Sequence, residues 1–180
     1  MIIPNSPYGL AQKISEFFTE EGGFFIEAGA NDGIRQNNTL YLENELGWRG
    51  LLVEPNKHQF ENCIKNRNKK GNIIYNCALV GYDYKPDDIE GYFNENDYEN
   101  SLMAQVSTDN PEFSEADPRW HCKLKVRVPA KKLSDILTEH NVNKIDFFSL
   151  DVEGYELNVL QGLDFSRHSP KIICVEIRNL

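Results

Sequence analysis

The acids that could do chemistry in this chain each stand at the end of an apolar run. Glu27 falls near the end of Phe24-Phe25-Ile26-Glu27-Ala28 and opens the stretch Gly29-Ala30-Asn31-Asp32-Gly33. Glu54 closes Gly50-Leu51-Leu52-Val53, 27 residues after Glu27. Asp151 follows Ile145-Asp146-Phe147-Phe148-Ser149-Leu150 directly, with Glu153 and Glu156 behind it. Short runs that are apolar on both faces read as buried parallel strands, and open α/β sheets bind ligands at the carboxyl ends of such strands. Gly29 and Gly33 allow a tight turn or a close backbone approach to a ligand, and Asn31-Asp32-Gly33 tolerates positive φ.

Spacing narrows the ligand. A dinucleotide fingerprint starting at Gly29 needs glycines at positions 31 and 34, where Asn31 and Ile34 stand, which disfavours NAD. A phosphate-cradling loop needs Gly-Lys followed by Ser or Thr, but Gly33 is followed by Ile34-Arg35, which disfavours ATP. The remaining pattern, Glu27-x-Gly29-x-x-x-Gly33, places an acid two residues before the first glycine. That suits a nucleoside with positive charge near its ribose, and S-adenosylmethionine, a sulfonium with an ammonium, is one. Small residues after a strand also occur in turns that bind nothing.

Glu54 has two acceptor oxygens that match the two ribose hydroxyls of an adenosine, at about the spacing at which an acid reaches a ribose in doubly wound folds. A helix-capping Glu before Pro55 is the alternative. Glu153 and Glu156 suit the positive end of a helix, worth about 0.3–1 kcal/mol each. Asp151 is less well explained that way, because an acid placed directly after a buried strand needs a partner. An acceptor hydroxyl, the S-adenosylmethionine ammonium or a divalent cation would each serve.

Phe25 to Gly33, Leu52-Val53-Glu54-Pro55, Ala78-Leu79-Val80 and above all Lys144 to Gly162, with its block Asp151-Val152-Glu153-Gly154-Tyr155-Glu156, resemble the FkbM-type S-adenosylmethionine-dependent methyltransferases. The resemblance runs from about Phe24 to Ile177. It implies a class I methyltransferase fold and methylation of a hydroxyl on a sugar, glycan or secondary metabolite, by in-line transfer governed by positioning. By the same carry-over Glu27, Gly29 and Asn31 line the methionine side, Glu54 the ribose, and Asp151 with Glu153 the reacting corner. Ala30, Gly33, Pro55, Ala78 and Asp151 complete the implied cofactor-binding set. Glu27 departs from the family's more usual Asp. The chain also stops soon after its last strand, where such folds usually continue with a helix and a β-hairpin, so a homodimer that covers the sheet edge is one expectation. Readings from other classes are a nucleoside-binding pseudoenzyme and a metal-dependent hydrolase built on Asp151, Glu153 and Glu176.

Several elements must position these acids. A first helix carries Leu10, Ala11, Ile14, Phe17 and Phe18, capped at Ser6-Pro7 and ended by Gly22-Gly23. A second, capped by Asn37-Asn38-Thr39, carries Leu40, Leu42 and Leu46 up to Gly47, and a third opens at Pro55-Asn56 with Phe60, Cys63 and Ile64 inward. Lys65, Arg67, Lys69 and Lys70 form that helix's solvent face. Ile73 to Val80 reads as one strand, and a further helix starts near Ser134. Leu157, Leu160 and Leu163 mark another helix, and Lys171 to Ile177 the fifth strand. Alternating strands and helices give an α/β, doubly wound, mainly parallel sheet, a Rossmann-like core apparently without the terminal hairpin, in one domain over 1–180.

Periodicity is lost from Gly81 to Trp120, where only Ile89–Phe93 and, beyond it, Leu124–Val128 read as strands; this is a lid-like excursion. Eleven acids against one Lys lie between Asp83 and Asp117, so the chain's net charge of −9 resides there. That balance excludes a nucleic-acid backbone as the main partner. Cys63, Cys77, Cys122 and Cys174 show no metal-ligand spacing, and His58, His121, His140 and His168 are scattered as on a solvated surface. Met1-Ile2-Ile3, interrupted by Pro4, does not resemble a signal peptide, and no apolar run is long enough to span a bilayer, so the expected location is cytoplasmic.

Overall fold

Phe24–Ala28 (β1) is the strand that the others flank. Its five residues are all buried, and it takes a parallel neighbour on each side, which a run apolar on both faces requires. The computed structural model describes residues 9–68, 71–93, 104–106 and 124–177. Leu10–Phe17 (α1) precedes β1, and Leu40–Leu46 (α2), Arg49–Val53 (β2), Lys57–Arg67 (α3) and Ile73–Tyr75 (β3) follow it. Ala78–Leu79 (β4), Asp88–Phe93 (β5), Ala104–Val106 (β6) and Leu124–Lys131 (β7) come next. Leu133–Glu139 (α4), Ile145–Leu150 (β8), Glu156–Gln161 (α5) and Pro170–Val175 (β9) complete the order.

The main sheet has five strands in the order β3-β2-β1-β8-β9, and every pairing in it is parallel. This is the doubly wound α/β architecture that the alternation of elements predicts. Residues alternate across the pleat. Ile26, Ala28, Leu51, Val53, Phe148 and Leu150 pack in the cluster that holds Leu133, Ile136 and Leu137 of α4. Phe25, Leu52 and Phe147 pack in the cluster with Ile14 of α1, Leu42 of α2 and Cys63 of α3.

Local chemistry sets the ends of the helices. Asn56 caps α3 by accepting from the N–H groups of His58 and Gln59. Gly47 ends α2 with φ 64° and donates its N–H to the Leu42 carbonyl. The cap expected at Ser6-Pro7 lies outside the described residues, and α1 instead follows Gly9 in a left-handed conformation.

Four expectations need correction. The single strand read over Ile73 to Val80 is two, because Asn76 interrupts it by turning its amide to the Glu54 and Pro55 carbonyls at 2.9 and 3.0 Å. Beyond that break β4 leaves the main sheet and pairs with β7. The excursion after Gly81 contains more strand than its sequence suggests: β5 pairs antiparallel with both β6 and β7. Its segments 94–103 and 107–120 lie outside the described residues, as do His121 and Cys122. His168 is buried beside the Ser134 hydroxyl, 3.0 Å from Nδ1, not solvated. Arg67 does not share the solvent face of α3; it is fully buried. No helix among the described residues is long and apolar enough to cross a membrane.

Asp146 ties the starts of three strands together. Its carboxylate accepts the Phe24 N–H at 3.0 Å and pairs with Lys171 at 2.7 Å and Lys144 at 3.3 Å. Burial opposes its charge, but the lysines and the Phe24 N–H outweigh that and hold its pKa below the ordinary 3.8. Asp146→Ala is therefore expected to cost about 2 kcal/mol at neutral pH by urea unfolding. A lowered folded-state pKa gives stability that is present above the ordinary value and lost as pH falls through the folded one. The gap between wild type and variant should accordingly close below about pH 3.8.

Candidate functional site

Three strand ends converge where the acids were read. Beyond β1, the N–H groups of Gly29 and Ala30 both donate to the Val53 carbonyl at 3.0 Å, and Asp151 N–H donates to the Ala28 carbonyl at 3.1 Å. The approach is so close that a Cβ on Gly29 would lie 1.9 Å from the Asp151 carbonyl oxygen, and Gly29 also has φ +84°. Only glycine fits there.

A cleft of about 750 Å³, counting its open mouth, lies over this junction. Gly29, Asn31, Arg35 and Gln36 line it from the β1 loop, Val53, Glu54 and Pro55 from the β2 end, Cys77 from the break after β3, and Ala78 and Leu79 from β4. Asp151, Val152, Glu153, Tyr155 and Val159 close the remaining side. Of the residues read from sequence, Gly29, Asn31, Glu54, Pro55, Ala78, Asp151 and Glu153 are thus brought together.

Glu27, Ala30 and Gly33 serve the wall from behind. The Glu27 carboxylate accepts the Asn38 N–H at 2.8 Å and the Thr39 hydroxyl. Burial raises its pKa, while the nearby Arg67 guanidinium and these bonds oppose the rise. Ala30 packs in the core with Phe25 and Leu52. Gly33 has φ +79°, and a Cβ there would lie 2.6 Å from Cγ of Arg67.

Arg67 organises this rear wall. Its Nε donates to Glu43 at 2.6 Å, and Nη1 to the Gly33 carbonyl at 2.8 Å and to Asn37 Oδ1 at 3.0 Å. Nη2 donates to the Thr39 hydroxyl at 3.1 Å. One side chain thus ties Gly33, Asn37 and Thr39 of the loop between β1 and α2 to Glu43 of α2.

Glu54 differs from Glu27 in having no cation against it among the described residues. Oε2 accepts the Asn31 N–H and Oε1 the Asn56 N–H, each at 2.8 Å. Burial dominates and pushes its pKa up to about 7, against these two bonds and with help from the Asp32 charge. Burial likewise pushes the Cys77 thiol up to about 12, which leaves it an inert wall group.

At the opposite corner, oxygens of Asp151, Glu156 and Glu176 lie within 4.8 Å of one another. Glu153 is not in this group; it stands at φ 60°. One Glu156 oxygen accepts the Val152 and Gly154 N–H groups, both at 3.0 Å. Clustered acids alone assign no ion, so the divalent cation gains no support from them.

Arg35, Gln36, Cys77, Leu79 and Tyr155 were missed as lining residues. For Arg35 and Gln36 the available signal was their place in the loop that leaves β1. Three of the four non-glycine residues with positive φ among the described residues, Asn31, Gln36 and Glu153, line the cleft, where strained backbone tends to gather.

A parallel α/β sheet with an acid-bearing cleft at the carboxyl ends of its strands is consistent with a methyltransferase core. The family model described as "Methyltransferase FkbM domain" matches residues 27–180, and the chain belongs to that family. It is 28% identical over 158 residues to "Methyltransferase 1" of Beauveria bassiana (strain ARSEF 2860), covering 80% of this chain and 59% of the relative. It is 42% identical over 57 residues to "Methyltransferase sdnD" of Sordaria araneosa, covering 27% of this chain and 22% of that protein. The chain therefore spans less than two thirds of the length of either relative. No solved structure matches it significantly.

Removing Arg67 would take the guanidinium away from the buried Glu43 carboxylate, which keeps the Asn72 amide at 2.6 Å, and from the Gly33 carbonyl. Arg67→Met is expected to destabilise by about 3–5 kcal/mol in urea unfolding. Arg67→Met combined with Glu43→Leu should recover part of that loss, because the uncompensated charge goes with its partner.

Proposed function

We propose that the chain is an S-adenosylmethionine-dependent methyltransferase acting on a hydroxyl of a sugar, glycan or secondary metabolite. The observation that carries this reading is Glu54: a buried carboxylate on the cleft wall whose two oxygens each hold one N–H. Each oxygen keeps acceptor capacity for a hydroxyl, as two adjacent ribose hydroxyls require. The rest of the donor set agrees. Ala78, Leu79, Val53 and Val159 offer an apolar wall for a base, and the carboxylates of Asp151 and Glu153 suit cationic groups.

When bound, S-adenosylmethionine supplies an electrophilic methyl group on a sulfonium. This chain's residues would do the remainder. Glu54 orients the ribose, the β1 loop excludes water, and Asp151 with Glu153 holds the acceptor hydroxyl and takes its proton. The net charge of −9 disfavours polyanionic acceptors. Family membership favours this reading over the hydrolase. Binding of S-adenosylhomocysteine without turnover on any hydroxyl acceptor would leave a binding module.

Two measurements test the assignment. Hydroxyl donors prefer an ionised acceptor, and Glu54 ionises only as pH rises through about 7. The calorimetric Kd for S-adenosylhomocysteine should therefore weaken about tenfold from pH 8 to pH 6, the change in the ionised fraction of a group titrating midway. Glu54→Gln should bind more weakly and lose that slope. A wild-type Kd flat across this range would remove Glu54 from the ribose. Asp151→Asn should lower turnover by about 10²-fold or more, the range of a lost general base, and lower it by far more than it weakens the Kd for S-adenosylhomocysteine. Methyl transfer from labelled cofactor to a panel of sugars and lipid-linked glycans reads it; wild-type turnover would make Asp151 a structural acid.

A further inference from the structure

Arg35 reaches the cleft wall from a turn that leaves its side chain little choice. Asp32 builds the turn: its Oδ1 accepts the N–H groups of Ile34 and Arg35 at 2.9 and 2.7 Å, and its Oδ2 takes Arg35 Nε at 2.8 Å. The turn is anchored to α3 at two successive carbonyls, Asp32 by Asn66 at 2.8 Å and Gly33 by Arg67 at 2.8 Å. Burial works against the Asp32 charge, but the guanidinium and the two N–H donors outweigh it and hold the carboxyl below its usual range. The ion pair is thus kept, and with Nε spent on it the two Nη groups of Arg35 have no hydrogen-bond partner among the described residues. The side chain is 45% exposed and lines the cleft.

Charge on the lining is unequal. Glu54, Asp151 and Glu153 are acids, and Arg35 is the only Lys or Arg among the described residues that line the cleft. A ligand with positive centres and one carboxylate is the complement of that wall. A guanidinium fixed through Nε presents its Nη edge as a two-donor fork, the geometry that matches a carboxylate.

We infer that Arg35 binds the α-carboxylate at the methionine end of S-adenosylmethionine, end-on through its two Nη groups, with Asp32 holding it in place. The inference rests on the cofactor reading above. It makes Arg35 a discriminating residue, because a nucleoside without that carboxylate gains nothing from it.

The test is calorimetric and needs no acceptor. Wild type and Arg35→Gln are each titrated with S-adenosylmethionine and with decarboxylated S-adenosylmethionine, which keeps the sulfonium and the amine. Arg35→Gln should melt at the wild-type temperature, since the side chain is nearly half exposed. It should lose about 10- to 100-fold in affinity for S-adenosylmethionine, the worth of a charge-assisted pair, and bind the decarboxylated analogue within about twofold of wild type. Unchanged affinity for S-adenosylmethionine would overturn the inference and leave the cofactor reading standing, with Arg35 a solvated surface group or one reserved for an acceptor's carboxylate. Equal losses for both ligands would also overturn it, by making Arg35 a support of the loop. Wild type binding neither ligand would remove the cofactor reading and the inference together.

Discussion

The cleft depends on a guanidinium that never touches it. Burying Arg67 carries a desolvation cost of several kcal/mol, and only a full set of oxygens offsets it. The loop between β1 and α2 supplies three of them, the Gly33 carbonyl, Asn37 Oδ1 and the Thr39 hydroxyl, and α2 adds Glu43. Satisfying the arginine therefore fixes the loop. The requirement reaches into the sequence as well: Gly33 must lack a side chain because Cγ of Arg67 occupies the space. What faces the cleft from residues 31–36 is shaped by what the arginine demands behind them.

A second constraint acts from the sheet. Parallel strands end together only if their backbones continue to find partners past the last ladder bond. Here Gly29, Ala30 and Asp151 N–H groups bond to Val53 and Ala28 carbonyls, and Glu176 N–H bonds to the Leu150 carbonyl. The ends of β1, β2, β8 and β9 are so locked into one rim. Asp151 and Glu54 inherit their positions from that rim, and no flexible segment intervenes between the core and either acid.

The strands of the main sheet were legible because each is an apolar run long enough to show no alternation. Glu54 was legible for the same reason, standing just past such a run. Arg67 was not, although its sequence held a clue: Gln59, Cys63 and Arg67 recur at the helical spacing and all three are fully buried. The neighbouring Lys65, Lys69 and Lys70 masked that stripe and made Arg67 read as one more surface cation. Asn76 hid the break between β3 and β4 in a similar way, because a polar residue within an apolar run can face solvent or, as here, satisfy carbonyls of another strand end. His168 was misjudged for want of its partner. Nothing in the local sequence announces that Ser134, 34 residues away, will lie against its ring.

Glu27 and Glu54 look alike in sequence, acids at the ends of adjacent strands, and the register separates them. Glu27 pairs with Leu52 inside the ladder, one residue before β1 ends at Ala28, whereas Glu54 stands one residue beyond the last paired position, Val53. Within the ladder a side chain is committed to a face, and the Glu27 face is the one packed against α1, α2 and α3, where Arg67 lies. Its charge is met by a cation and its oxygens by Asn38 and Thr39. Beyond the ladder no face claims Glu54, and among the described residues two backbone N–H groups reach its carboxylate. Burial without a cation raises its pKa toward neutrality, and a carboxylate in that state gains most from a further hydrogen-bond donor. A single step in register thus turns one acid into part of the frame and leaves the other on the cleft wall with acceptor capacity to spare.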